Sequence, residues 1–374
     1  MDRNRETLVR LFGEGRVALA RSSFLGSTPE PLGLPSRDRV EGMLLGLAVG
    51  DSLGGPVEGS LPAERRQRHG DVRDYLPTRF AEGRRVGLPS DDTQLAFRTL
   101  EQALADGGLD PARLAERFAG EPIFGIGTGT REFVGNVRAG RPWEECAALS
   151  AGNGALMRIA PVLVPHLAVP SPALWADVVL AARLTHDDSA STAACVAFAD
   201  LLWKALRMEE PPPGRWWADR FVAVARPLET RVTYEPRGGR WRDTFEGTLT
   251  DCVETTLEEA RREGWSAAQG AEAWWSGAFL LETVPTVLWI LEKHGHDPEE
   301  AIVRAATDAK DADTVAAIVG AAVGALHGRS RLPARWLDRS LFPGRLGARD
   351  DGRLFSVVRE AVERWVPSGE RGPR

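Results

Sequence analysis

Residues 39–55, RVEGMLLGLAVGDSLGG, decide the fold, because they are apolar at helical spacing and place Gly42, Gly46 and Gly50 on one face. Each glycine in a helix interior costs about 1 kcal/mol relative to alanine. Three at one spacing therefore indicate that another backbone packs very closely there. Residues 314–328, TVAAIVGAAVGALHG, repeat the pattern near the C-terminus. We expect these two segments to form two central helices.

Further runs with helical periodicity lie between these two segments. They cover residues 94–108, 190–206, 248–264 and 283–295, and clusters of Pro and Gly separate them. Alternation typical of strands is scarce, and its best example is RVTYEP at residues 231–236. The pattern therefore predicts an all-α protein.

The 374-residue chain is long enough for one large domain or two ordinary ones. Residues 1–38 are interpreted as an N-terminal extension and residues 39–365 as the main domain, with a candidate insertion at about 208–248. Residues 366–374, at the polar C-terminus, are predicted to be disordered. No Pro- or Ser-rich linker divides the chain cleanly.

The composition narrows the class of protein. A net charge of -6 and a pI near 5.7 argue against general affinity for nucleic acid. The cysteines Cys146, Cys195 and Cys252 are far apart and form no CxxC pair, which favours a reducing compartment over a disulfide framework or thiolate zinc site. The N-terminus does not resemble a signal peptide, and no stretch approaches the roughly 20 apolar residues of a membrane span. We therefore expect a cytoplasmic protein without a membrane partner.

Two short acidic strings each precede an apolar helical run. They are SDDT at residues 90–93 and DADT at residues 311–314, and a third acidic segment, GDSLGGPVE at residues 50–58, ends in Glu58. Helix capping is one interpretation, because Ser, Thr and Asp are preferred at helix N-termini. However, a cap needs one oxygen and each string offers at least three, while adjacent carboxylates repel unless a cation lies among them.

A metal site is the second interpretation of these strings. Close packing of the two glycine-faced helices would bring the end of one near the start of the other. The oxygen donors that could then share a pocket are Glu58, Ser90, Asp91, Asp92, Asp311, Asp313 and Thr314. An all-oxygen site favours Mg²⁺ or Mn²⁺ over zinc. Several carboxylates suit two ions, about 3.5–4 Å apart, better than one.

Three other segments are candidates for ligand binding. GNGALMR at residues 152–158 is either an ordinary Asn-Gly turn or a loop whose amides approach a ligand. GIGTGT at residues 125–130 is a weaker signal for a phosphate cradle. His186, in THDD, begins a helix and is either structural or a donor to a ribose or phosphate oxygen.

Taken in order, these strings resemble the ADP-ribosylglycohydrolase family, over roughly residues 39 to 328. The similar segments are GMLLGLAVGDSLGGPVEG, SDDTQLAF, GNGALMRIAPV, LTHDDSAS, and LETVPTVLWIL followed by KDADTVAAIVGAAVGALHG. The resemblance implies a compact, orthogonal all-α bundle with two Mg²⁺ at the base of a cleft, Mn²⁺ being the alternative. Residues 39–365 would then form the catalytic domain.

The resemblance also implies roles for individual residues. The metal ligands would be Ser90, Asp91, Asp92, Asp311, Asp313 and Thr314. The catalytic residues would be Glu58 and Asp311. The residues lining the ADP-ribose path would be Gly125, Gly127, Asn153, Gly154, Met157 and His186. Lys310 departs from the family pattern, where glycine is common, and a bulky cation there is expected to reshape the entrance for the leaving group.

The expected reaction is hydrolysis at C1″ of ADP-ribose, which releases it from a modified protein, nucleic acid or small molecule. Two alternatives remain open at this stage. One is a two-metal hydrolase of another nucleotide-like ester, and the other is a non-catalytic ADP-ribose reader or structural relative. The product of the reaction distinguishes the first alternative, and tight ADP-ribose binding without turnover would favour the second.

Overall fold

A computed structural model describes residues 2–347 and 352–367, where α-helices dominate the regular structure. The prediction of an all-α protein is confirmed. Of the tail predicted to be disordered, residues 368–374 lie outside the described residues. The α-helices of the described residues are α1 (Asp2–Gly13), α2 (Arg37–Gly54), α3 (Pro62–His69), α4 (Asp91–Asp106), α5 (Pro111–Gly120), α6 (Thr128–Arg138), α7 (Ala173–Arg183), α8 (Ser189–Ala205), α9 (Trp216–Ala225), α10 (Leu249–Glu263), α11 (Ala267–Ala273), α12 (Leu280–His294), α13 (Pro298–Asp308), α14 (Ala312–His327) and α15 (Arg353–Trp365).

The pair α2 and α14 forms the centre of the fold. A Cβ atom built on Gly42 would collide with the carbonyl oxygen of Gly324, and one built on Gly54 would collide with that of Ala312. The two backbones therefore touch without intervening side chains, which only glycine permits. These pairings also show that the helices run in opposite directions. The C-terminal end of α2 consequently lies beside the first turn of α14.

Helix α3 forms from PAERRQRH, a stretch without apolar periodicity. Arg65 is its one buried residue, whereas the flanking Glu64 is exposed. Apolar periodicity does not predict this helix, because a cation rather than a hydrophobic side chain attaches it to the core.

Strand pairing in the part of the chain that the structure describes is confined to isolated bridges. Tyr234, which lies in the segment 231–236 with strand-like alternation, pairs antiparallel with Gly247. Gly152 pairs antiparallel with Phe279 beside the GNG loop. These bridges fix loops rather than build a sheet.

The N-terminal helix packs against the main body of the protein. Leu8 and Leu11 of α1 are buried, and α1 contacts α7. The three cysteines are buried and free. None of the helices in the described ranges combines the length and hydrophobicity that crossing a membrane requires.

Candidate functional site

A carboxylate from α2 holds the N-terminal end of α4. Both oxygens of Asp51 accept from the backbone N–H of Ser90, at 3.0 and 2.9 Å. Asp51 Oδ2 also accepts from the N–H of Thr93 at 3.0 Å and from its hydroxyl at 2.5 Å. A carboxylate is favourable at this positive end of a helix. Asp51 therefore positions the first acidic string.

The two acidic strings meet at Asp92. Its Oδ2 accepts from Ser90 Oγ at 3.2 Å and from Thr314 Oγ1 at 3.4 Å. Its Oδ1 is buried and has no hydrogen-bond partner. Leaving a buried carboxylate oxygen without a donor costs several kcal/mol, so native proteins rarely do so unless a cation binds there.

Two overlapping groups of carboxylates lie at this point. We define the inner group as Asp51, Asp92 and Asp313, and the outer group as Glu58, Asp311 and Asp313. Within each group, one oxygen from each residue lies within 4.8 Å of the others. Asp313 belongs to both groups. Two neighbouring sets of oxygen donors with a shared member have the chemistry that binds hard cations.

Burial and mutual repulsion raise the pKa values of these carboxyl groups. Burial raises the pKa of Asp51 and of Asp311 to about 6. The pKa values of Asp92 and Asp313 are also raised, first by burial and then by neighbouring carboxylates. Like charges gathered in a low-dielectric site are unfavourable without a counter-charge. The donor set therefore fits a divalent cation.

Capping explains the first string only in part and does not explain the second. Ser90 Oγ accepts from the N–H of Asp92 at 3.4 Å, as a capping residue does. Asp311 occupies the N-cap position of α14 but makes no side-chain capping bond. Its Oδ2 instead accepts from Asn153 Nδ2 at 2.6 Å. The GNG loop is thus attached directly to the acidic cluster.

Asp91 and Glu58 lie at the edges of the cluster. Asp91 is buried outside both carboxylate groups, and a Cβ atom built on Gly125 would lie 2.9 Å from its Oδ1. Burial raises the pKa of Asp91 to about 7. Glu58 is exposed and follows the 3₁₀ turn Gly55–Val57. Glu58 therefore lies on the solvent side of the cluster.

The glycine loops surround His186. A Cβ atom on Gly129 would lie 2.9 Å from His186 Nε2, and one on Gly154 would lie 2.8 Å from its Cε1. Gly127 occupies the N-cap position of α6, where free backbone N–H groups suit an anion. The two loops predicted to bind ligand thus lie around one buried imidazole.

Hydrogen bonding defines the protonation of His186. Arg158 Nη2 donates to Thr185 Oγ1 at 2.7 Å, and that oxygen lies 2.8 Å from His186 Nδ1. Because the buried hydroxyl proton of Thr185 needs an acceptor and the arginine cannot accept, the hydroxyl is assigned as the donor to Nδ1, and the ring proton is assigned to Nε2. Burial lowers the pKa of His186 to about 3, so the ring is neutral near pH 7.

Met157 and Lys310 occupy different positions relative to the cluster. Met157 is buried, and its sulfur lies 4.0 Å from Thr314 Oγ1, so it packs below the acidic residues. Lys310 Nζ lies 3.7 Å from the ring centroid of Trp275, which is 39% exposed. The lysine and the indole thus form a cationic, aromatic surface beside Asp311.

Sequence reasoning did not include Asp51 among the predicted site residues. The structure adds it through its place in the inner group. The available signal was that Asp51 directly follows Gly50, and Gly50 lies on the glycine face of its helix.

The chain is similar to known proteins over most of its length. The model of the ADP-ribosylglycohydrolase family matches residues 34–365. An uncharacterized protein of Archaeoglobus fulgidus is 28% identical, covering 80% of this chain and 91% of the relative. ADP-ribosylarginine hydrolase Tri1 of Pseudomonas putida is 27% identical, and the match covers 81% of this chain and 74% of that relative. ADP-ribosyl-(dinitrogen reductase) glycohydrolase of Rhodospirillum rubrum is 26% identical, and the match covers 81% of this chain and 90% of that relative.

A solved structure shows the same architecture. The chain matches an ADP-ribosylglycohydrolase-related protein complex with a TM-score of 0.61 and 26% identity, covering 87% of this chain and 96% of that one. The fold and the relatives define a hydrolase acting on ADP-ribosyl bonds. The chain belongs to the ADP-ribosylglycohydrolase family.

Proposed function

We propose that this protein is a Mg²⁺-dependent hydrolase that cleaves the glycosidic bond at C1″ and releases ADP-ribose from a modified acceptor. The observation that carries the proposal is the pair of carboxylate groups sharing Asp313. A carboxylate shared by two donor groups suits two cations a few ångströms apart. Membership of the family indicates that the bond is an ADP-ribosyl bond, and the carboxylate groups support cleavage assisted by cations.

Six residues are proposed to hold two Mg²⁺ ions, with Mn²⁺ as a substitute. The unpartnered Asp92 Oδ1 and the raised pKa values of the buried carboxyls support this assignment. When bound, the ions would stabilise the negative charge that develops on substrate oxygens. The proposed ligands are Ser90, Asp91, Asp92, Asp311, Asp313 and Thr314. Asp51 orients them from α2 by binding the first amides of α4.

Glu58 and Asp311 are proposed to move protons. Without a bound cation, burial raises the pKa of Asp311 to about 6. A bound cation would lower this pKa and keep the carboxylate ionised, so that it could accept a proton. Asn153 donates to Asp311 Oδ2 and so restrains the orientation of that carboxylate. Glu58 is exposed beside Asp311, where it would contact both the solvent and a bound sugar. Cleavage at C1″ would pass through an oxocarbenium-like state.

The glycine loops are proposed to bind the ADP-ribose. The N-terminus of α6, after Gly127, presents backbone N–H groups suited to phosphate oxygens. His186 contributes a neutral Nε2–H donor beside Gly129 and Gly154. Asn153 then leads from this region to the acidic cluster. Gly125 lies next to Asp91 at the same end of the path.

The chemical group to which ADP-ribose is attached in the substrate is the next question for experiment. Relatives from Pseudomonas putida and Serratia proteamaculans are named ADP-ribosylarginine hydrolases, so ADP-ribosylarginine is the first substrate to try. The Lys310 and Trp275 surface beside Asp311 is where this chain would contact the acceptor. An ammonium group there disfavours a cationic acceptor, which makes a neutral side chain such as serine the necessary comparison.

The test is a panel of ADP-ribosylated arginine, serine, cysteine and nucleobase substrates, each with Mg²⁺ and with EDTA. The expected product is free ADP-ribose, released from at least one substrate only when Mg²⁺ is present. Inorganic phosphate or a nucleoside monophosphate as the product would favour a two-metal esterase instead. Tight ADP-ribose binding without turnover would favour a non-catalytic reader.

A further inference from the structure

The guanidinium of Arg65 is buried and bound entirely by main-chain carbonyl groups and one hydroxyl. Nη1 donates to the carbonyl oxygens of Ala306, Thr307 and Ala309, at 2.8, 3.0 and 2.7 Å. Nη2 donates to those of Val57 and Ser60, at 3.0 and 3.1 Å. Five carbonyl oxygens from two segments of the chain therefore converge on one side chain.

These two segments carry the residues of the outer group. Glu58 lies between Val57 and Ser60, and Asp311 follows Ala309 by two residues. Glu58 is itself exposed, and its backbone N–H makes only a long bond of 3.4 Å to Gly55. Arg65 is thus the main polar link that ties the Glu58 loop to the segment leading into Asp311.

The charge of Arg65 suits this location. Ala306, Thr307 and Ala309 lie at the C-terminal end of α13, where free carbonyl groups attract a cation. Burial lowers the pKa of Arg65 to about 10, so the guanidinium stays protonated and keeps donating near pH 7. The planar fork of arginine spans two segments at once, which a lysine ammonium does not.

We propose that Arg65 is a positioning residue that sets the separation of Glu58 from Asp311 and thereby shapes the outer carboxylate group. The inner group is built from α2, α4 and α14, and Arg65 donates no hydrogen bond to these three helices. This inference rests on the proposed function, because it assigns one of two cations to Asp311 and Asp313 of the outer group, with Glu58 beside them. Arg65 itself touches neither cation nor substrate.

The test compares Mn²⁺ binding to the wild type and to Arg65→Lys by electron paramagnetic resonance and titration calorimetry, without substrate. Lysine keeps the charge but loses the fork, so one of two Mn²⁺ sites is expected to weaken at least about tenfold while the other stays unchanged. Ser60→Ala, which removes a 3.4 Å contact with Arg65 Nε and a bond to Val57, is expected to act in the same direction more weakly.

Arg207→Lys is the matched control. Arg207 also donates to three carbonyl oxygens, those of Gly33, Trp203 and Leu167, but none belongs to the site. Its replacement is expected to leave both Mn²⁺ affinities unchanged. Melting temperatures of all variants are measured alongside.

The outcomes separate the two proposals. A wild type that binds two Mn²⁺ and an Arg65→Lys variant with both affinities intact would overturn the role of Arg65 alone. Equal weakening of both sites, together with a lower melting temperature, would also overturn it, because that is general destabilisation. A wild type that binds fewer than two ions would overturn the proposed function and this inference together.

Discussion

Thr314 Oγ1 lies 3.4 Å from Asp92 Oδ2, although 222 positions of sequence separate the two residues. This contact joins the first turn of α14 to the first turn of α4. It exists because α2 lies against α14 with backbones touching and binds the start of α4 through Asp51. Three helices, α2, α4 and α14, therefore place acidic residues close together in one cluster.

Asp313→Asn should remove cation binding, because Asp313 belongs to both carboxylate groups. We expect at least an about 100-fold loss of Mg²⁺-dependent hydrolysis, since a direct ligand matters at least as much as its supporting residues. In EDTA at pH 8 the variant should melt at a higher temperature than the wild type, because the pKa of Asp313 is raised and its charge is unfavourable. Calorimetry and a release assay measure both effects.

Asp177→Asn is the control for this variant. Asp177 is also buried, but it accepts from Asn4 Nδ2 at 2.7 Å and pairs with His166 Nε2 at 2.9 Å. Its replacement should lower the melting temperature and leave cation binding unchanged. Full hydrolysis by Asp313→Asn would contradict the catalytic assignment.

Stabilisation by Mg²⁺ should grow as the pH rises from 5 to 8. Burial raises the pKa of Asp51 and Asp311 to about 6 and that of Asp91 to about 7, from an ordinary value of 3.8. Folded protein without metal then holds protons more tightly than unfolded protein, so this contribution to stability is lost as the pH rises from about 4 through 7. Protons also compete with the cation for the same oxygens.

Melting temperatures with EDTA and with Mg²⁺ at pH 5, 6, 7 and 8 check this dependence. The difference between the two should be smallest at pH 5. A difference of equal size at pH 5 and pH 8 would show that Asp91 and Asp311 do not bind the ion.

His186→Ala should weaken ADP-ribose binding about tenfold, which corresponds to about 1.4 kcal/mol, without changing Mn²⁺ affinity. The variant removes the Nε2–H donor beside Gly129 and Gly154. Because burial lowers the pKa of His186 to about 3, its contribution should be constant between pH 5 and 8. Titration calorimetry with ADP-ribose measures the effect.

The control is His296→Ala, which removes an exposed histidine between α12 and α13. It should bind ADP-ribose like the wild type. Unchanged binding by His186→Ala would assign His186 a structural role only.

Gly46→Ala should destabilise the protein by about 3 kcal/mol, because an added Cβ would collide with the carbonyl oxygen of Gly320. The matched control is Gly135→Ala in α6, where an added Cβ meets nothing within 4 Å. That change should stabilise by up to about 1 kcal/mol. Urea unfolding in EDTA measures both free energies, and equal values would contradict the close approach of α2 and α14.

The all-α architecture and the central helices were predictable from the chain itself. Apolar periodicity reports the buried face of each helix, and it identified the segments that became α4, α8, α10 and α12. It could not identify α3, because the buried side chain of that helix is Arg65. A helix attached by a cation has no apolar stripe to detect.

The chemistry of the candidate site was partly predictable. The clustering of acids and hydroxyls in SDDT and DADT is local, so the donors could be named before their positions were known. The role of Asp51 could not, because it depends on which helix end lies beside α2. The position of the ring proton of His186 depends likewise on Arg158, a residue 28 positions earlier in the sequence.

The sequence by itself therefore determined the helices, the glycine faces that let two of them touch, and the kinds of atoms at the site. Only the tertiary structure decided that Asp313 is shared by two carboxylate groups and that Arg65 ties the Glu58 loop to the segment before Asp311. The physical reason is that periodicity and local composition describe one segment at a time. Distances between charged groups on different segments arise only when the backbones pack.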